Sequence, residues 1–429
     1  MRRASCVPIN DSAIETVYHG SRNILPQQLF LLPTMPPTLL LWLIAGSLML
    51  QPLSTDLYLA SLPHLATDFG VTPAAVQQTL SLFVIGFGVA QLISGPLSDR
   101  FGRRPVLLWG LAIYIAASLA CALAPTLVWL IAARFVQAIG CCTAAVIARA
   151  MVRDAFAPAD GARMLAKAST LLALAPLFGP VLGGYLQVWF GWRAAFVFHT
   201  LFGIALMITT ARLFRETNLH LNPEATRIGG LFATYRRIAS TDFFWAWMLP
   251  GALSYAAIFS FISGSSFVLI DVLGVPTHYY GYCFAFGVTG YLLGTIVCRR
   301  LLSKWGLPRS LMLGASLSLF SGLLFATLVL GGVQHWAVVL LCQFLTMGAH
   351  GINFPCAQSG AIAPFPREAG AAAGLLGFFT MVAALVTGTW VGMSHDGTLV
   401  PLALTSATLG LLLFGSTWAL RRQRAAAVV

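Results

Sequence analysis

Twelve times along this chain an apolar run of about 20 residues recurs, long enough to cross a bilayer core of roughly 30 Å. The runs lie at roughly 38–62, 74–97, 105–124, 127–148, 163–187, 194–213, 243–268, 279–301, 309–330, 336–357, 369–392 and 399–419. Inside lipid every backbone polar group needs an internal partner, so each run must be a helix. Membrane strands would alternate in polarity over about ten residues, and these runs do not. The composition agrees: 58% of the residues are hydrophobic and 9% are charged, more apolar surface than a water-soluble fold can hide. The expected fold is an all-α integral membrane protein of twelve transmembrane helices.

The formal charge of +12 would suit a nucleic-acid binder. Its placement does not. Of the 25 lysines and arginines, all but Arg134 and Arg193 fall in the tails and on the odd-sided connections. That is the positive-inside pattern, which places both termini in the cytoplasm. An even number of spans agrees with it. The basic charge is therefore topology, and no nucleic-acid partner is expected. The eight cysteines form no framework: most sit in spans, Cys141 and Cys142 are neighbours, and no C-x-x-C occurs. Residues 1–36 are polar and mixed, unlike a signal peptide. Met35 stands directly before Pro36, Pro37 and the first span, so it is an alternative start to Met1.

The spans fall into two groups of six. The expected organisation is a cytoplasmic tail at 1–37, a bundle at 38–214, a cytoplasmic linker at 215–242, a second bundle at 243–420 and a basic tail at 421–429. The linker carries Arg215, Glu216, Arg227, Arg236 and Arg237. The two groups echo each other: Ser303-Lys-Trp-Gly306 after span eight resembles Asp99-Arg-Phe-Gly102 after span two. Two such halves suit a transporter that rocks about a central site.

Residues 95–104 are the densest charged stretch between two spans, with Asp99, Arg100, Arg103 and Arg104 beside Gly95 and Gly102. A plain turn needs none of these. Asp154 ends span four at the matching level, so Asp99, Arg103 and Asp154 form a candidate charge cluster that latches one transport state. Their alternative is a set of solvated loop charges of little energetic consequence. In span five, Pro180 removes a helical hydrogen bond and is expected to bend the helix. Gly179 and Gly183 share one smooth face for close packing, with Gly184 beside them.

Asp56 is the one acid placed within a span. An ionised acid deep in a bilayer costs about 2.5–3.5 kcal/mol on insertion scales, so it is kept mainly where it faces a cavity or a partner. Such a group can take and release a proton near neutral pH. Its alternative role is a helix cap near the outer surface. Arg134 lies about eight residues into span four, roughly 12 Å from its end, which is long for a snorkelling side chain. Asp56 and Arg134 lie in the same half of the membrane, and a cavity-facing pair is geometrically possible. Gln91, Gln137, His199, His350, Asn353 and Gln358 are further polar residues in spans. His350 and Asn353, three apart, share a face and are candidates to line the cavity. Tyr58, Tyr255, Phe259 and Phe261 are candidates for an apolar pocket.

No catalytic constellation is present. The chain has no G-x-x-x-x-G-K-[ST] loop, no H-E-x-x-H, no C-x-x-C-H and no G-x-S-x-G, so neither ATP hydrolysis nor a familiar enzyme centre is indicated. No catalytic residue, metal ligand or cofactor is expected.

These residues resemble the major facilitator superfamily. Gly95-Pro-Leu-Ser-Asp-Arg-Phe-Gly-Arg-Arg104 is similar to its span two–three signature, and Arg134 with Gln137 and Gly140 to its span-four signature. Gly179-Pro-Val-Leu-Gly-Gly184 is similar to the signature of its proton-driven antiporters. The nearer resemblance is to the drug-resistance branch that includes bicyclomycin and chloramphenicol exporters, the Bcr/CflA type. It is carried by Ser54-Thr-Asp-Leu-Tyr-Leu-Ala-Ser-Leu-Pro63, Ala150-Met-Val-Arg-Asp154 and Ala369-Gly-Ala-Ala-Ala-Gly374, and it covers about residues 38–420. The resemblance implies the twelve-helix major facilitator fold in two six-helix bundles. It also implies that Asp56 binds protons and cationic drugs, and that Arg134 is the coupling arginine. Some relatives carry another acid early in span one. Leu41 to Leu50 has none, which weighs against export of divalent cations.

The expected function is export of small amphipathic compounds in exchange for protons, driven by the proton motive force, across a bacterial inner membrane. The expected partners are protons, the small-molecule substrate and lipid, with the protein acting as a monomer. An uptake symporter or facilitator for a metabolite remains open, as does a membrane sensor or interaction protein without transport.

Overall fold

The computed structural model describes residues 37–426; the N-terminal tail, Met35 included, and residues 427–429 lie outside it. The first six spans are built from eight helices. They are α1 (Pro37–Asp56), α2 (Leu62–Phe69), α3 (Pro73–Phe101), α4 (Arg103–Ala122), α5 (Leu127–Ala155), α6 (Pro158–Leu172), α7 (Leu174–Phe190) and α8 (Arg193–Leu213). A linker helix α9 (Ile228–Ala239) follows. Then come α10 (Asp242–Ser266), α11 (Thr277–Leu330), α12 (Trp336–Ile362), α13 (Ala369–Ser394) and α14 (Val400–Ala426). No strand occurs among the described residues. Among the described residues, eleven stretches are long and apolar enough to cross a membrane. One of them, α11, has 54 residues, about 80 Å at 1.5 Å per residue, more than twice a bilayer core. It is two spans joined by a kink, which gives the twelve expected.

That kink bears out the echo between the halves. Gly306 breaks α11 with φ 68°, and Gly102 separates α3 from α4 with φ 97°. Both glycines hold a left-handed turn that other residues adopt only at a cost, and each reverses the chain within about one residue. The charged positions around them are therefore pinned at helix ends rather than spread through a loop.

Two spans are broken within their length. The first runs from α1 through a short 3₁₀ turn at Leu59–Ser61 into α2, with Asp56 at the break. The fifth is interrupted at Ala173, between α6 and α7. The sequence predicts a bend at Pro180, but Pro180 sits inside α7. The interruption falls where Pro176 deprives the Leu172 carbonyl of its i+4 donor, so Pro176 accounts for the break. Several helices also outrun their apolar runs. Asp99 and Arg100 lie in the last turn of α3, Asp154 in the last turn of α5, and α14 continues past residue 420. A six-residue π-helical turn, Phe267–Val272, extends span seven to include Asp271, an exposed second acid that the shorter apolar run leaves out.

Large apolar side chains are exposed all round the molecule, among them Val128 at 76%, Phe190 at 71% and Trp42 at 57%. On a soluble protein this belt would drive aggregation; in a bilayer it is the lipid-facing surface.

At the end of the molecule away from the linker, the two bundles meet through glycines. Across the junction a Cβ on Gly281 would overlap the backbone at Pro180 and Val181, and within the first bundle one on Gly183 would overlap the Leu57 carbonyl. A Cβ on Gly184 would lie 2.9 Å from the Thr277 carbonyl. The expected close packing by span five is thus present, with α7 wedged between α1 and the start of α11. A second seam joins α3 to α13, where Gln91 lies against Gly374 and Gly377.

Candidate functional site

Asp56 is 5% exposed. Its place follows from the chain's own break: α1 ends there, and Pro63 starts the next helix. The carboxylate accepts a hydrogen bond from Thr55 Oγ1 at 2.7 Å. Gly179 packs close to its Cβ, and Tyr255 and Tyr280 of the second bundle lie within electrostatic range. Among the described residues no cation comes within ion-pair distance of it.

Arg134, eight residues into the first bundle's α5, is completely buried. Its Nη1 donates to Gln137 Oε1 at 2.6 Å. The guanidinium carbon lies 4.2 Å from the Phe83 ring centre, 4.5 Å from Tyr58 and 5.7 Å from Phe196. Aromatic faces attract a cation, more so when it is shielded from water. Even so, Nε and Nη2 have no hydrogen-bond acceptor. The pair imagined from sequence is therefore absent from this conformation: both groups are buried, but neither is the other's partner. A buried charge left without its counter-charge is costly.

Hydrogen bonds run from Arg134 toward α1 without reaching Asp56. Gln137 Nε2 donates to Ser118 Oγ at 2.7 Å, and Ser118 Oγ donates to the Tyr114 carbonyl. The Tyr114 hydroxyl is 2.8 Å from Ser54 Oγ, two residues before Asp56. His199 Nε2 donates to the Leu53 carbonyl at 3.1 Å. Sequence reasoning singled out Gln137 and His199 but missed Tyr114 and Ser118. A tyrosine and a serine four apart on an apolar helix give no signal until the neighbouring helix is known.

The remaining cavity candidates separate. Tyr58 is buried inside the first bundle with its hydroxyl 2.9 Å from Thr79 Oγ1, and Gln137 is buried there too. These two pack the bundle interior rather than lining a cavity. His350 and Asn353 also part company despite their spacing. His350 Nδ1 is 3.0 Å from Ser254 Oγ and its ring sits among Tyr255, Tyr291 and Phe354. Asn353 instead donates to Ser318 Oγ, deep inside the second bundle. Phe259 is buried and stacks on Tyr255 at 6.1 Å, and Phe261 is buried against Phe325. Tyr255, half-buried, and Gln91, half-buried at the seam, remain the candidates that face between the bundles.

The charge cluster does assemble. Arg103 reaches Asp99 at 2.6 Å, Asp154 at 2.7 Å and Ser98 Oγ at 2.6 Å, and it is 3% exposed. Gly95 lies within α3 with open space beside it. The linker contributes a residue that the sequence did not single out for this cluster. Glu216 accepts from the backbone N–H groups of Arg103 at 2.8 Å and Arg104 at 2.9 Å, the first turn of α4. Its Oε2 lies 2.5 Å from where a Cβ on Gly102 would be, so Gly102 serves both the turn and this approach. Arg237 of α9 pairs with Glu368, and Tyr235 donates to the Leu92 carbonyl, so the linker is strapped across both bundles. Glu216→Ala should lower stability by about 1–2 kcal/mol, since it removes a charged cap from a helix N-terminus. A drop in the thermal midpoint of the detergent-solubilised protein checks this; an unchanged midpoint would mean that water replaces the cap.

Two bundles of membrane helices, a buried acid facing their junction, a buried arginine inside the first bundle and a charge cluster at one end define a polytopic membrane transporter, not an enzyme. Residues 44–388 match the family model of the Major Facilitator Superfamily. The chain belongs to that superfamily.

Among curated relatives, the "Bicyclomycin resistance protein homolog" of Haemophilus influenzae is 26% identical over 357 residues, covering 83% of this chain and 89% of that protein. The "Multidrug resistance protein MdtL" of Escherichia fergusonii is 28% identical over 339 residues, covering 77% and 82%. Among solved structures, the E. coli xylose transporter XylE, in a partially occluded inward-open conformation, superposes with a TM-score of 0.66 at 14% identity over 89% of this chain and 97% of that one. A peptide transporter POT in complex with sulfate gives 0.73 at 13% identity over 90% and 94%. At these identities the structural likeness speaks for the fold alone.

Proposed function

We propose that the protein is a proton-coupled antiporter that exports small amphipathic compounds across a bacterial inner membrane, with both termini in the cytoplasm. The observation that carries this reading is the pair of uncompensated buried groups. Asp56 has no cation beside it, and Arg134 has two N–H groups without acceptors. Asp56 sits within range of the second bundle, and Arg134 lies behind it inside the first. A state in which Asp56 is protonated or holds a cationic substrate, alternating with one in which it is ionised and turned toward Arg134, would relieve each group in turn. Coupling then requires only that the two facing states differ in affinity for proton and substrate. Each proton moving inward supplies about 2.3 kcal/mol per 100 mV. The resistance proteins named above support the direction and the kind of cargo. The basic end that carries Arg103, Arg153 and the linker is the cytoplasmic one on the positive-inside rule. Asp99, Arg103, Asp154 and Glu216 latch the present state there, while Gly179, Pro180, Gly183 and Gly184 form the opposite seal.

The test is proton release from inside-out vesicles energised to an acidic interior. Chloramphenicol, a sulfonamide, a lipophilic cation and tetracycline are added in turn to vesicles with wild type, Asp56→Asn or no protein. Gradient dissipation by a compound in wild type alone supports the reading. Substrate-driven proton entry in the opposite sense would replace it with uptake.

A further inference from the structure

Arg149 is the first residue past the apolar run of span four, where the sequence places it with the connection that follows. In the structure α5 continues to Ala155, so Arg149 is inside the helix, six residues and about 9 Å from its end. It belongs to the stripe Ala138, Cys142, Ala145, Arg149 and Arg153, spaced four, three, four and four apart on one helix face. Ala138 packs against Gly86 of α3, and Cys142 and Ala145 are buried. At Arg149 the stripe opens and the side chain is exposed. One turn on, Arg153 Nη1 lies 3.9 Å from where a Cβ on Gly370 of α13 would be. The stripe packs on α3 at Ala138 and comes up to α13 at Arg153, so Arg149, one turn before Arg153, lies on the face that reaches the second bundle toward the linker end.

Apart from Asp242 at the start of α10, the acids near this cluster are already engaged. Asp99 and Asp154 hold Arg103, Glu368 holds Arg237, and Glu216 caps α4. Arg153 is 3.9 Å from the shared Asp154. Among the described residues, Arg149 has neither a carboxylate in ion-pair range nor a hydrogen-bond acceptor. A guanidinium that only needed to anchor the helix end would sit at the last turn, as Arg153 does. We propose that Arg149 recognises a negatively charged group, of the carboxylate class, on the compound the protein moves. The cargo is then an amphipath carrying an acid, alone or beside a cationic centre that Asp56 reads. A guanidinium presents a planar fork matched to a carboxylate. This inference rests on the transporter reading above and names its substrate class.

The experiment is equilibrium binding of dansylglycine and of its uncharged methyl ester to the full chain in an uncharged detergent, followed by dansyl fluorescence excited through the tryptophans. No gradient is needed, so the outcome is readable even if proton coupling fails in vesicles. Wild type should bind the acid about tenfold or more tightly than the ester. Arg149→Gln should erase that gap while leaving ester affinity in place, and Arg149→Lys should keep part of it. A merely structural role would weaken both ligands alike. Equal affinity of wild type for acid and ester, whether both bind or neither does, would overturn the proposal. So would a gap that survives Arg149→Gln.

Discussion

Asp56→Asn should reduce drug-driven proton release to the level of vesicles without the protein. The substitution keeps the side chain's size and its ability to accept the hydrogen bond from Thr55. It removes the one property that the proposed cycle needs, a carboxyl that exchanges its proton for a substrate or a charge pair. Folding should not suffer. Taking an acid out of a membrane helix removes an insertion cost of about 2.5–3.5 kcal/mol, so the thermal midpoint should stay level or rise. Loss of coupled transport with stability intact is thus the expected combination. Unchanged gradient-driven export in Asp56→Asn would remove Asp56 from the mechanism. The partner variant Arg134→Gln should lose transport as well, because Arg134 would be the group that holds Asp56 ionised in the opposite state.

Gly281→Ala is the second large effect. The added methyl would overlap the backbone of Pro180 and Val181, which cannot rotate away. Overpacking of a well-packed seam costs typically 1–3 kcal/mol, and a backbone collision is at the upper end. The cost falls on the state in which α7 is wedged between α1 and α11, and the state with that end open escapes it. A shift of about 3 kcal/mol is more than a hundredfold in population. Transport should fall to a few per cent because the cycle stalls in one facing state. Spin labels at Thr67→Cys and Tyr279→Cys, on the two bundles at this end, would report a longer mean separation in a chain with its native cysteines replaced. An unchanged distance with full transport would show that the seam is looser than it is drawn. Gly183→Ala would instead strike the Leu57 carbonyl inside the first bundle and should lower the stability of both facing states alike.

Much of the fold was legible in the residues. The apolar runs identified the helices, and Gly102 and Gly306 marked the matching turns of the two halves. The Asp99, Arg103 and Asp154 cluster could be paired because all three sit at ends of helices that topology brings to one side. Other features were not legible. Pro176, not Pro180, breaks span five, since the deprived carbonyl lies one turn before the proline. His350 and Asn353 share a helical face, but that face meets α10 at one residue and the second half of α11 at the other. Glu216 read as an ordinary linker acid, although it ends at the first turn of α4.

The sequence by itself determined that this chain crosses a membrane as helices, how many times it does so, and which end collects positive charge. Those properties depend on hydrophobicity and connectivity, which are summed along the chain. The tertiary structure alone decided that Asp56 and Arg134 are apart in this state, that Ser118 meets Gln137 and Tyr114 meets Ser54, and that Arg149 is left without a counter-charge. These are facts about which faces of neighbouring helices meet. In lipid the apolar surface of a helix gives little sign of its partner, because neighbours are chosen by close packing and a few hydrogen bonds rather than by escape from water.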